Sequence, residues 1–327
     1  MFNSIILALV IFLPLLIIPN FNKLIISGLY GGGILSRFNT NAYRGWAMLI
    51  IMLCHCTGEF AFRPFTPLGG IGVAIFLFLS GFGLNESYKK DGINHFWKKK
   101  LLRLLLPYAL FRIVCVMISC NFEWKAFLLD IIGWQSAYWY IDYMVRCYLV
   151  FWIGNRFLGK FKWVLFAAFA LYSFFTMDGL RAEQSLSFLF GIICSVNIDK
   201  VNAWSKKSLV FIMLATGLLG TICLGVKQLP AVREVIGTCY YFAVELGIKL
   251  PSAISMMIML YLLPSKIRGG QIVTFCGVYS LELYLVHMYI VARVVDTSWM
   301  QAVAALLVSG VVAFGFASVV KKIRSVL

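Results

Sequence analysis

The chain has 327 residues, 61% hydrophobic and 13% charged, with a formal net charge of +16 and a mean hydropathy of +0.89. Soluble domains run at about 45–50% apolar and about 25% charged, so this composition excludes a water-soluble enzyme, a disordered hub and a disulfide-stapled secreted module. Apolar runs recur from residue 5 to residue 320 with no polar block long enough to fold separately and no strand-length alternation. They predict an all-α, polytopic transmembrane helix bundle.

In chain order, the spans fall near 4–19, 43–58, 68–84, 104–120, 137–155, 161–177, 184–198, 208–226, 237–262, 271–292 and 299–320, about eleven helices against roughly 30 Å of hydrocarbon. The first has no basic residue before it and no small-residue cleavage site before Asn20 and Lys23, so it reads as a retained helix. Alternate loops carry twenty Lys and Arg, including Lys98, Lys99, Lys100, Arg103, Lys321 and Arg324, against six in the opposite loops. By the positive-inside rule the C-terminus is cytosolic and the N-terminus outside. The excess charge then faces anionic membrane lipids, and no nucleic-acid partner is called for.

Ionisable residues inside spans are costly and must face protein or water. Asp142 and Arg146, and likewise Glu245 and Lys249, have the i,i+4 spacing of an ion pair on one helical face. Arg112 has no local partner. The nine cysteines show no CxxC or Cys/His ligand spacing; Cys54 and Cys56 flank His55 but diverge around the helix, so no metal is expected.

The second span contains Arg44 and His55 in RGWAMLIIMLCH. Eleven steps return to within about 20° of the starting direction and rise roughly 16 Å, so both side chains project into one groove. Arg44 then sits at the cytosolic mouth and His55 in the outer half, with Glu59 one turn on and able to orient the imidazole. The third span, PLGGIGVAIFLFLSGFGL, has glycines that permit close backbone approach, and Ser80–Gly81 can loosen it near its cytosolic end. The following FWKKKLLRLLLPY is basic and amphipathic, suited to lying on the leaflet, with Arg103 able to reach an anion.

Five landmarks in order, YRGWAMLIIMLCH, GGIGVAIFLFLSGF, KKKLLRLLLPY, AYWYIDYMVRCYLVF and SLELYLVH, span residues 43 to 287. Together they resemble the membrane acyltransferase-3 family. The resemblance implies a ten-helix core over residues 41–320, preceded here by an extra N-terminal helix at 1–22. It also implies transfer of an acetyl or other short acyl group from cytosolic acyl-CoA to a hydroxyl of a surface or secreted carbohydrate such as capsule, O-antigen or exopolysaccharide. Arg44 and His55 match the family's functional Arg and His, Arg103 its basic residue after the third span, and His287 its late histidine. The implied setting is a bacterial plasma membrane.

On that reading His55 is the general base. Glu59 holds its tautomer, and His287 orients the sugar or donates to the oxyanion. Arg44 and Arg103, with Ser80 beside them, hold the phosphates of acetyl-CoA. Glu282 lies nearer mid-membrane, paired or protonated, on the acceptor side. Trp139 and Tyr140 either stack on a sugar or anchor at the interface. A proton-coupled transporter or flippase of a polar or lipid-linked glycan is the alternative that such intramembrane residues leave open.

Overall fold

The computed structural model describes residues 2–17, 32–119 and 123–327; Asn20 and Lys23, read above at the end of the first span, lie outside the described residues. Every regular element among the described residues is helical. In chain order they are α1 (Phe2–Ile17), α2 (Arg37–Gly58), α3 (Thr66–Asp91), α4 (Phe96–Ser119), α5 (Trp124–Ile131), α6 (Trp139–Phe157), α7 (Lys162–Thr176), α8 (Ser187–Val196), α9 (Lys206–Val226), α10 (Cys239–Leu262), α11 (Gln271–Val278), α12 (Ser280–Val294) and α13 (Trp299–Arg324), with one-turn helices between some of them. Helix occupies each expected span. Among the described residues, five helices are long and apolar enough to cross a membrane, namely α3, α4, α9, α10 and α13, or six if α11 and α12 count as one bent span. The chain is thus a multi-pass membrane protein.

Helix α3 is the hub, packed against α2, α8 and α10. Glycine makes this possible: a Cβ on Gly81 would strike the carbonyl of Phe188 in α8, and one on Gly191 would strike the carbonyl of Phe78 in α3. The two backbones therefore touch reciprocally, as small residues allow in lipid. Ser80–Gly81 does not loosen α3, which runs unbroken from Thr66 to Asp91; the glycine serves the crossing and leaves the hydrogen-bond ladder intact. A second close crossing sets α11 on α2, where Cβ atoms on Gly45 and Gly277 would strike the carbonyls of Val273 and Asn41.

Two spans depart from the straight helices expected. The 271–292 span breaks at Tyr279 and turns by 88°. The segment expected to lie on the leaflet instead runs directly into α4 through a π-helical turn at Leu101–Leu105. Pro107 explains the irregularity, because it has no N–H to give the carbonyl of Arg103. Arg324 Nη2, from the end of α13, approaches that carbonyl at 3.4 Å. Helix α1 docks on the bundle through Asn3 Nδ2 to the Thr297 carbonyl (2.6 Å), Ser4 Oγ to the Phe62 carbonyl (2.5 Å) and Phe12 stacked on Trp46.

Candidate active site

The late C-terminal turn of α2 delivers His55, and α12 delivers His287 from 232 residues away; His55 Nδ1 lies 2.8 Å from His287 Nε2, with the rings nearly parallel. His287 Nδ1 lies 2.7 Å from the carbonyl of Leu283, one turn back on α12. A carbonyl can only accept, so in the neutral pair His287 Nδ1 carries its proton and its Nε2 is an acceptor. His55 Nδ1 must then be the donor. That leaves His55 Nε2 with a free lone pair, unmatched by any donor among the described residues, and His55 lines a cavity of about 560 Å³. His287 is fully buried and does not line it.

The same cavity is walled by Tyr138, Trp139 and Tyr284 on one side and by charged groups of α9 and α10 on the other. Lys249 pairs with Glu183 from the α7–α8 loop and lies 3.3 Å from Glu245, which also pairs with Lys227. Burial pushes the Glu183 carboxyl up, against the opposing pull of Lys249. Arg293 stacks on Tyr289 at 3.5 Å and lines the rim.

The loop that presents Tyr138 and Trp139 is pinned by two carboxylates. Asp130 accepts from the Ala137 N–H at 3.0 Å, from Arg112 Nε at 2.5 Å and from the Tyr108 hydroxyl. Asp142, 1% exposed, accepts from the Gln135 N–H at 3.2 Å and from both Arg146 and Arg181. Arg112 thus finds in Asp130 the partner its own span does not supply, and the expected Asp142–Arg146 and Glu245–Lys249 pairs both form, the first joined by Arg181 and the second by Lys227 and Glu183.

Inward from the histidines runs a column of aromatic rings. Tyr284 lies 6.1 Å from His287 and 5.4 Å from Tyr140, centroid to centroid. Ser80 lies beside the phenols of Tyr140 and Tyr148, and both phenols are electrostatic neighbours of Arg44, which forms no ion pair with a carboxylate among the described residues. Lys100 Nζ closes the series, 4.8 Å over the Tyr148 ring. Arg44, Ser80 and Tyr140 therefore lie together, eleven residues and roughly 16 Å along α2 from His55.

Several expectations change. Glu59 does not orient His55: it caps α2, is exposed, and forms no side-chain hydrogen bond among the described residues, because His55 Nδ1 turns inward to His287. His287 does not line the cavity; its ring meets His55 instead. Tyr140, an electrostatic neighbour of Arg44, does not line the cavity; Trp139 does. Glu282 is buried but lies away from the cavity, in the first turn of α12 after the bend, where its charged neighbour is Arg324. Arg103 is exposed, and Lys100 takes the inner position. Sequence reasoning missed Tyr284, Tyr148, Lys100 and Glu183, although Tyr284 three residues before His287, and Tyr148 eight after Tyr140, share faces with residues it did single out.

A multi-pass helical protein that buries a polarised histidine pair beside a cavity, and an ion-unpaired arginine along the same helix, is built for polar chemistry within a membrane. The chain belongs to the family described by the model Acyl_transf_3, acyltransferase domain, which matches residues 37–321. It is a membrane acyltransferase. No curated protein and no solved structure matches the chain.

Proposed function

We propose that the protein transfers an acetyl group from cytosolic acetyl-CoA to a hydroxyl of a surface or exported polysaccharide. The observation that carries the reading is the lone pair left on His55 Nε2 at the cavity wall by the Leu283–His287–His55 hydrogen-bond chain. The acceptor hydroxyl, held between Trp139 and the Lys249–Glu245 wall, attacks the thioester carbonyl while His55 Nε2 takes its proton. The new C–O bond forms, the C–S bond breaks, and His55 returns the proton to the departing thiolate, giving an O-acetyl ester and free CoA.

Arg44 supports the donor side. It is a guanidinium with phenols and Ser80 around it and no carboxylate partner, placed roughly 16 Å along α2 from the imidazole. A pantetheine arm is of that length, so the phosphates stay at the inner end among Arg44 and the Lys98–Arg103 cluster while the thioester reaches His55. The charge bias of the loops supports a bacterial plasma membrane with this inner end in the cytosol.

Labelled acetyl transfer from acetyl-CoA to envelope glycan tests the reading. His55→Ala is expected to lower kcat about 10²–10⁴-fold in a protein that still folds. Undiminished transfer by that variant would remove His55 as the base.

A further inference from the structure

At the N-terminal end of α2 lies a second cavity, of about 250 Å³, that shares no lining residue with the one beside His55. Its walls are Gly32, Ser36, Phe38 and Asn39 from the start of α2, Tyr261 and Leu262 from the end of α10, and Arg268. Arg268 is 9% exposed. Its guanidinium donates to the Tyr261 carbonyl and lies over the rings of Phe38 (5.6 Å) and Tyr261 (5.4 Å), yet Nε has no hydrogen-bond partner and no carboxylate pairs with it among the described residues. Across the same cavity Asn39 donates Nδ2 to the Gly33 carbonyl at 3.1 Å and leaves Oδ1 buried without a partner among the described residues.

A buried cation with an unused donor is costly unless something anionic meets it. The site also faces the positive end of a 22-residue helix, where backbone N–H groups and the macrodipole favour anions. The orphaned Asn39 oxygen asks in addition for a hydrogen-bond donor on the ligand. We propose that this cavity binds a phosphate group carrying a neighbouring O–H or N–H donor. Protonated phosphate and a phospholipid headgroup both have that chemistry. Arg44, five residues on from Asn39 and about 140° around α2, has Tyr140 and Tyr148 as its neighbours and does not line this cavity, so the second site is separate from the proposed acyl-donor path.

The test uses the purified full chain in detergent, with its thermal unfolding midpoint followed on titration with inorganic phosphate and, separately, with phosphatidylglycerol in mixed micelles. Saturable stabilisation by phosphate assigns a soluble ligand; stabilisation by phosphatidylglycerol alone assigns a headgroup. In either case R268Q is expected to weaken the response at least tenfold in concentration. N39D keeps the arginine, sets a carboxylate on the same wall and is expected to abolish the response in a folded protein, so the proposal stays falsifiable if R268Q fails to fold. No response to either probe, or an N39D response equal to the native one, overturns the site.

Discussion

The carbonyl of Leu283 decides which nitrogen of which histidine is free, and so decides the chemistry of the site. On the proposed mechanism His287 is a positioning residue: it holds the His55 tautomer without lining the cavity. His287→Ala is expected to lower kcat for acetyl transfer about 10–100-fold while leaving KM for the acyl donor unchanged. His287→Gln, which keeps an acceptor for His55 Nδ1–H, is expected to recover part of the loss. A raised KM at unchanged kcat would contradict the assignment. Glu59→Gln, by contrast, is expected to leave kcat at the native level, because Glu59 stands exposed at the end of α2. The helical period alone puts Arg44 and His55 on one side of α2. The partner of His55 could not, because it lies 232 residues away and the local candidate, one turn along, was chemically plausible.

Helix contacts here are set by where glycine permits backbone to meet backbone. Gly45→Val would drive its side chain into the Val273 carbonyl, and overpacking of that kind costs about 1–3 kcal/mol. Gly83, whose Cβ would meet nothing, is the control: Gly83→Ala is expected to be neutral or to stabilise by up to about 1 kcal/mol through helix propensity. Thermal unfolding of the two variants in detergent separates them, and equal midpoints would show that the α2–α11 crossing is looser than described. The glycine-rich third span announced tight packing, but its sequence does not say which glycine meets which helix. The π turn in α4 was likewise hidden, although Pro107 contained its cause. The 88° bend at Tyr279 left no trace in hydropathy, since apolar residues run through it.

On the scale of the whole bundle, the Tyr140–Tyr284 contact belongs to the aromatic column between the cavity of His55 and the cationic end of Arg44 and Lys100, and on the proposed mechanism it parts to admit the pantetheine arm. Cys54 lines the cavity and reports on that partition. In sealed vesicles a membrane-impermeant maleimide is expected to modify Cys54 from one face only, located by peptide mass spectrometry. The double variant Y140A/Y284A is expected to allow modification from both. Labelling of the native protein from both faces would rule out the partition. Multi-pass character and the cationic end were legible from apolar runs and loop charges, because both depend on composition; the aromatic column was not, because it joins α3, α6 and α12 through rotamers and crossing angles. The hydrogen-bond chain from His55 has one more consequence. It terminates at a peptide oxygen that cannot accept and pass on a proton, so no wire leads inward from the imidazole. In the proposed reaction a proton taken from the acceptor leaves with the thiol and turnover moves no net charge across the bilayer, so collapsing the proton gradient with an uncoupler is expected to leave the reaction rate unchanged.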